Sequence, residues 1–312
     1  MTNSPMRGVL SPVVTPFDSA LQPDGARLVQ HCRWLLQNDV GLAVFGTNSE
    51  ANSLSLKEKI GLLEQLVEAG LPAARMMPGT GCCSLTDSVE LTRRAVELGC
   101  GGVLMLPPFY YKGVSDEGLF RNYAEIIERV GDERLRIYLY HIPPVAQVPI
   151  SLGLIERLLK AYPKAIAGVK DSSGNWDNTR AMLEQFQPQG FDVFAGSETF
   201  LLATLRGGGA GCISATANVN PGPIAQLARS WQQADAEQQQ AALDAVRGVF
   251  QSYVMIAALK AAIAHYADDP AWRTVRPPLV ELDDAQQREL VQGLTQVGFS
   301  MPGLPSRPAG DA

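Results

Sequence analysis

Eight short apolar runs, each nearly free of charge and separated by stretches with helical spacing, constrain this chain more than any other feature of its sequence. The runs fall at residues 9–14, 41–45, 74–78, 101–106, 136–140, 165–169, 192–195 and 210–213. Between them, residues 26–37, 56–69, 86–98, 117–130, 152–161 and 179–186 repeat apolar side chains three and four apart, as amphipathic helices do. Strands that are short and uncharged on both faces belong to parallel sheet covered by helices. Eight such units fit a closed barrel better than an open doubly wound sheet. The expected fold is therefore α/β: a (β/α)8 TIM barrel with a C-terminal helical extension. The pattern changes after Pro221, where 224–234, 238–264 and 285–297 read as helices without intervening strands. The barrel is expected over 1–234, a helical annex of the same domain over 235–300, and a flexible tail over 301–312.

Composition narrows the function by exclusion. A net charge of -6 and no run of Lys or Arg give no reason to expect a nucleic-acid partner. No apolar stretch approaches the roughly 18 residues that cross a bilayer, so no membrane partner is expected. The first residues lack a basic segment followed by an apolar core, so no signal peptide is expected. The five cysteines contain no C-x-x-C pair and the chain has only three histidines, which argues against a disulfide framework or structural zinc. A reducing cytoplasm is the simple expectation.

In a barrel, the residues just past the strand ends converge on one mouth. Those positions hold Thr15, Thr47, Asn48, Ser49, Glu50, Tyr110, Tyr111, Tyr140, His141, Lys170, Asp171, Ser197 and Glu198. Lys170 closes the run AIAGVK, where exclusion of water favours a neutral, nucleophilic amine. Such an amine attacks a ketone to form an imine, an electron sink for making or breaking the neighbouring carbon–carbon bond. The alternative is a strand-end cation paired with Asp171 or a helix. Tyr140 ends YLY on the preceding strand, where a phenol serves as proton donor and acceptor, or its ring simply caps the core. The GTNSE segment at 46–50 makes a small polar concavity suited to a carboxylate, or else belongs to the start of a helix capped near Ser53. The PPFYY segment at 107–111 lines a pocket, covers a subunit interface or packs as an ordinary loop.

Taken together, these residues resemble the dihydrodipicolinate synthase / N-acetylneuraminate lyase family of class I, pyruvate-handling barrels. The likeness runs from about residue 8 to 279 and rests on an ordered set: TPF at 15–17, GTNSE at 46–50, PPFYYKG at 107–113, the Tyr140 motif, GVKDSSGN at 168–175, FAGSE at 194–198 and GCISATANVNP at 211–221. The resemblance implies that Lys170 forms the imine and that Tyr140 is the general acid/base. It places Thr47 beside the pyruvate carboxylate, linking Tyr140 to a Tyr110 that reaches in from a neighbouring subunit. It gives Asn48 the second carboxylate-binding position and Ile213 a backbone carbonyl near the site. It further implies a homotetramer built as a dimer of dimers, a 2-oxo acid substrate such as pyruvate, no metal and no cofactor.

Departures from the family pattern bear on the substrate. Dihydrodipicolinate synthases follow the tyrosine with Asn, a small apolar residue, Pro, Ser or Gly, and an arginine that holds the aldehyde partner's carboxylate. This chain reads Tyr140-His141-Ile142-Pro143-Pro144-Val145, so that clamp is absent. Sialic acid lyases carry an acidic pair after the glycine equivalent to Gly196, where this chain has Ser197 and Glu198. The resemblance is therefore expected to lean toward 4-hydroxy-2-oxoglutarate and 2-keto-3-deoxy sugar acid aldolases, with Gly196, Ser197, Glu198, His141 and Val145 shaping the substrate pocket. His141 contacts substrate or bonds the backbone behind it. The leading expectation is cleavage of a 4-hydroxy-2-oxo acid to pyruvate and an aldehyde. The alternatives are a dehydratase of 2-keto-3-deoxy sugar acids, dihydrodipicolinate synthase, N-acetylneuraminate lyase, or a catalytically inactive small-molecule-binding barrel.

Overall fold

The computed structural model describes residues 6–306. In chain order its elements begin β1 (Gly8–Ser11), α1 (Gly25–Gln37), β2 (Gly41–Leu42), α2 (Leu56–Glu68), α3 (Leu85–Glu97), β3 (Val103–Met105) and α4 (Asp116–Val130). They continue with β4 (Ile137–His141), α5 (Pro143–Ala146), α6 (Leu152–Ala161), β5 (Ile166–Asp171), α7 (Trp176–Phe186), β6 (Asp192–Ala195), α8 (Leu201–Arg206) and β7 (Gly211–Ile213). Four helices complete the chain: α9 (Pro221–Ser230), α10 (Ala236–Gln251), α11 (Met255–Tyr266) and α12 (Asp284–Gln296). The residues fall into two compact units, one comprising 72–213 with the residues up to Gly8, the other 9–71 with everything from Ser214 onward.

The first unit holds five parallel strands in the order β7-β6-β5-β4-β3. Its strands are buried almost throughout, as parallel strands covered by helices must be. The helices around them present alternating apolar and polar faces; α4, for instance, buries Leu119, Tyr123, Ile126 and Val130 and starts on a Ser115 cap. The strand expected at 74–78 is the one that fails to form. A single parallel bridge remains, Gly79 with Leu104, supported by Leu104 N–H donating to Pro78 O and Thr80 N–H donating to Leu104 O, each at 2.9 Å. Pro78 has no N–H to give a ladder, and residues 73–75 are coiled into a 3-10 turn. Seven strands, rather than the eight of a closed barrel, are therefore assigned among the described residues. What is observed is an α/β fold of parallel strands flanked by helices, with further helices at the C-terminal end.

In the second unit, β1 pairs with β2 in parallel, Leu10 opposite Gly41 and Ser11 opposite Leu42. The run expected as a strand over 41–45 stops at Leu42 and ends on Phe45, whose φ of 60° turns the chain out of extended geometry. The single helix expected over 238–264 is two, α10 and α11, bent by 107° at their break. The break lets α11 bury eight consecutive residues, Ala257 to Ala264, among them Lys260. No single helix among the described residues is long and apolar enough to cross a membrane. Of the expected tail, Met301 is buried and Pro302 O accepts from Trp34 Nε1 at 3.1 Å; residues 307–312 lie outside the described residues.

A buried ion pair with no local signature in the sequence ties this unit together. Lys260 on α11 donates to Glu50 Oε1 and, at 2.7 Å, to Thr274 O, and its ammonium lies 4.5 Å above the Phe17 ring. Both charged side chains are fully excluded from solvent. Glu50 Oε2 also accepts from Arg276 N at 3.0 Å, so each carboxylate oxygen is satisfied. Burial lowers the Lys260 pKa to about 8, with Glu50 opposing the shift. Removing one member strands the other charge in a dry site, at a cost of about 3–5 kcal/mol. Lys260→Met and Glu50→Gln are each expected to lose stability on that scale in urea titrations. The double variant should lose clearly less than the sum, and simple additivity would show that the two groups are not coupled.

Candidate active site

The register of β4 against β5 brings two of the expected residues together. Tyr140 pairs directly with Lys170, and His141 with Asp171. Lys170 and Tyr140 are each 2% exposed. Lys170 Nζ donates to Tyr140 Oη at 3.2 Å and lies 4.2 Å from the centre of the phenol ring. The floor beneath them comes from the same strand faces one step back. Tyr138 stacks edge-on to Phe194 at 5.8 Å and donates to Asp192 Oδ2 at 3.3 Å. Gly168 opens space for that ring, since a Cβ there would sit 2.8 Å from Tyr138 and 2.3 Å from Asp192 O. The Tyr138 ring thus fills the strand face one step back from Tyr140, against Phe194, which lies opposite Lys170.

Asp171 is not the partner of Lys170. Side chains alternate along a strand, and Asp171 turns to the helix-covered side. There its carboxylate accepts from Ser173 N at 2.9 Å, Ser173 Oγ at 3.1 Å, Asn178 Nδ2 at 3.0 Å and Thr179 Oγ1 at 2.6 Å. His141 goes with it: Nε2 lies 4.0 Å from Asp171 Oδ1, and Nδ1 accepts from Ile150 N–H at 3.0 Å. Burial lowers the His141 pKa, and the Asp171 charge opposes that shift. His141, expected among the substrate-facing residues, therefore bonds the backbone behind the site.

The other expected residues are placed as follows. Ile213 ends β7 and is fully buried. Gly196 packs so tightly that a Cβ would meet Ser172 Oγ at 2.1 Å, and its N–H donates to Asp171 O at 2.7 Å. Ser197 is half-buried and caps its own turn, accepting from Thr199 N at 3.3 Å, while Glu198 is buried. Val145, on the short α5, is 61% exposed. Tyr110 and Tyr111 are 74% and 70% exposed and meet edge to face at 5.4 Å. Their loop is pinned by Lys112, which donates to Phe109 O and to Ala146 O at the end of α5, a clamp that sequence reading missed.

In the second unit, Thr47 and Asn48 are half-buried in a 3-10 turn, Thr47–Ser49. Left-handed residues flank the turn, Phe45 at φ 60° and Glu50 at φ 56°. Such conformations cost about 1–3 kcal/mol each for residues other than glycine. Gly46 N–H donates to Ser49 Oγ at 3.1 Å and Thr15 Oγ1 donates to Ser49 O at 2.7 Å, which together hold the turn in place. Helix capping does not explain this segment, because the cap of α2 is Ser55 rather than Ser53. Ser55 and Glu58 form a reciprocal pair there, Ser55 N–H donating to Glu58 Oε2 at 2.7 Å and Glu58 N–H to Ser55 Oγ at 3.2 Å. Glu50, expected at the mouth, is instead consumed by the Lys260 pair.

Comparison with known proteins places this geometry in a family. A model of the dihydrodipicolinate synthetase family matches residues 5–297. A "DapA-like lyase" of Chloroflexus aurantiacus, uncharacterised, is 34% identical over 90% of this chain and 93% of its own length. A 4-hydroxy-tetrahydrodipicolinate synthase of Rhizobium meliloti is 34% identical over 69% of this chain and 71% of its own. Among solved structures, YagE, an Escherichia coli K12 prophage protein of the dihydrodipicolinic acid synthase family in complex with pyruvate, superposes with a TM-score of 0.86 at 25% identity, covering 94% of this chain and 99% of that one. The expected lean toward hydroxy-oxoglutarate and 2-keto-3-deoxy sugar acid aldolases finds no support in these matches, among which 4-hydroxy-tetrahydrodipicolinate synthases recur. The chain belongs to the dihydrodipicolinate synthetase family, a family of pyruvate-dependent class I aldolases and lyases.

Proposed function

We propose that this protein forms a Schiff base between Lys170 and pyruvate and uses it to join pyruvate to an aldehyde, the type of reaction that the recurring synthase relatives are named for. The observation that carries this reading is the buried Lys170–Tyr140 pair at 3.2 Å. The amine attacks the ketone carbon of pyruvate. Tyr140 delivers a proton to the carbinolamine oxygen, which leaves as water. Loss of a proton from the methyl carbon of the imine gives an enamine, and this attacks the aldehyde. Hydrolysis then frees Lys170. Thr47 and Asn48 hold the pyruvate carboxylate, Ile213 offers its carbonyl, and Gly196, Ser197 and Glu198 border the aldehyde half. The protein works as a homotetramer in which Tyr110 completes a neighbour's site. The exposure of Tyr110 and Tyr111 on a pinned loop supports that role.

A second reading rests on Val145. An exposed valine at this position offers nothing to a carboxylate, which favours the reverse reaction on a 4-hydroxy-2-oxo acid whose aldehyde half is held by other means. The same residues serve either direction, with Tyr140 taking the C4 hydroxyl proton as the C3–C4 bond breaks.

Intact mass after borohydride reduction with pyruvate tests the shared chemistry. A stable adduct mapping to Lys170, absent from Lys170→Ala, is expected; a folded enzyme that gives none would sink the assignment. Aldehydes with and without a carboxylate then separate the two readings. If the missing guanidinium is what limits carboxylated aldehydes, Val145→Arg should raise kcat/KM for them by about tenfold, as one charge-assisted bond of about 1.5 kcal/mol allows. No change, in an enzyme that already prefers carboxylated aldehydes, would show that another group holds the carboxylate.

A further inference from the structure

Behind the reactive pair sits a second pair that the reaction does not use. His141 and Asp171 directly follow Tyr140 and Lys170 on β4 and β5, and alternation turns them to the opposite faces of the same two strands. They are 5% and 3% exposed. His141 Nδ1 accepts from Ile150 N–H, which requires Nδ1 to be bare and leaves the proton of the neutral ring on Nε2, which lies 4.0 Å from Asp171 Oδ1. That bond closes the connection from β4 to α6, the segment carrying α5 and Val145, back onto the end of β4. On the next strand, Asp171 gathers Ser173, Asn178 and Thr179, fixing the end of β5 to the start of α7. Ser172 N–H donates to His141 O at 2.7 Å, joining the two strand ends beyond the reactive pair.

We infer that His141 and Asp171 are positioning residues, an outer lock that holds the ends of β4 and β5 at the register which keeps Tyr140 Oη on Lys170 Nζ. The inference rests on the imine chemistry proposed for Lys170. Each outer residue is covalently adjacent to an inner one, so a slip of the outer contacts moves the inner atoms with them.

The lock works only with a neutral imidazole. A proton on Nδ1 would face the Ile150 N–H, donor against donor, and the bond would open. The charged group facing His141 is Asp171, from β5. The 142–150 segment packed on its other side has no charged side chain and presents the Ile150 N–H, and β5 adds the Ser172 N–H to its carbonyl. Burial outweighs Asp171 and lowers the His141 pKa, so the lock stays closed through neutral pH and opens on the acid side of the ordinary histidine range.

Two variants test this. His141→Asn keeps an oxygen that can accept from Ile150 N–H but cannot titrate; His141→Leu fills the space and accepts nothing. Two measurements are made on both: the Lys170 Nζ–Tyr140 Oη distance in crystals, and the rate of borohydride trapping of pyruvate across pH. The leucine variant should move the pair beyond about 3.5 Å, outside hydrogen-bond range. Its trapping rate should fall on the order of 100-fold, the usual cost of a misplacement near 1 Å. The asparagine variant should keep the distance and the neutral-pH rate while losing part of the acid-side decline. A leucine variant with the wild-type distance and rate overturns the inference, as does an asparagine variant with an unaltered acid limb. Absence of any pyruvate adduct in the wild type would defeat the imine reading, while the crystal distances would still decide whether the outer pair positions the inner one.

Discussion

The parallel register of β4 and β5 is the constraint on which the proposed chemistry depends. Had β4 paired one residue further along, Tyr140 would lie opposite Asp171 and Lys170 opposite Leu139, and the amine and phenol would no longer be paired. The register is set by features that surround the reactive pair rather than by the pair itself. A bulge-like shift between Ile137 and Tyr138 brings the strands into phase. Gly168 lets the Tyr138 ring lie across β5 without collision. Asp171 holds the end of β5 through four hydrogen bonds from the 173–179 segment. Lys170 is thus held on paired strands rather than on a loop.

Lys170 and Lys260 are both almost wholly buried, and their surroundings differ. Lys260 faces a carboxylate, a carbonyl oxygen and an aromatic face, all of which favour the ammonium form and make it a structural cation. Lys170 faces a phenol. A phenol, unlike a carboxylate, places no fixed negative charge beside the amine. The nucleophilic role proposed for Lys170 rests on that difference in one neighbouring functional group. Asp171, next to Lys170 in the chain, is turned away by strand alternation and saturated by other donors.

What could be read from the sequence follows from how local each signal is. Six of the eight apolar runs became strands of three or more residues or their close equivalents, and the Lys170–Tyr140 pairing was legible because both residues end such runs. The run at 74–78 looks like its neighbours in hydrophobicity, yet a proline at its end and a 3-10 turn at its start leave only one bridge, so hydrophobicity alone overcounts strands. His141 was ambiguous because register decides which face it takes, and register is a property of two strands. Glu50 was misplaced for a related reason. Its partner Lys260 lies 210 residues away, and nothing in the GTNSE segment announces that its acid will be withdrawn into the core.

The division between strand and loop also explains why family membership fixes the chemistry more firmly than the substrate. The imine formation proposed for Lys170 would draw on an amine, a phenol and the rings packed beside them, all on β4, β5 and β6, where a change of side chain would disturb the packing of several neighbours. The aldehyde half would be met by groups outside that framework: Val145 on a four-residue helix, Tyr110 and Tyr111 on a loop held by Lys112, and Ser197 at a turn. These positions are exposed or half-exposed and can change at little cost to stability. A valine can replace an arginine there without moving Lys170. A shared name among relatives at about one-third identity therefore carries the pyruvate half of the proposed reaction further than the aldehyde half.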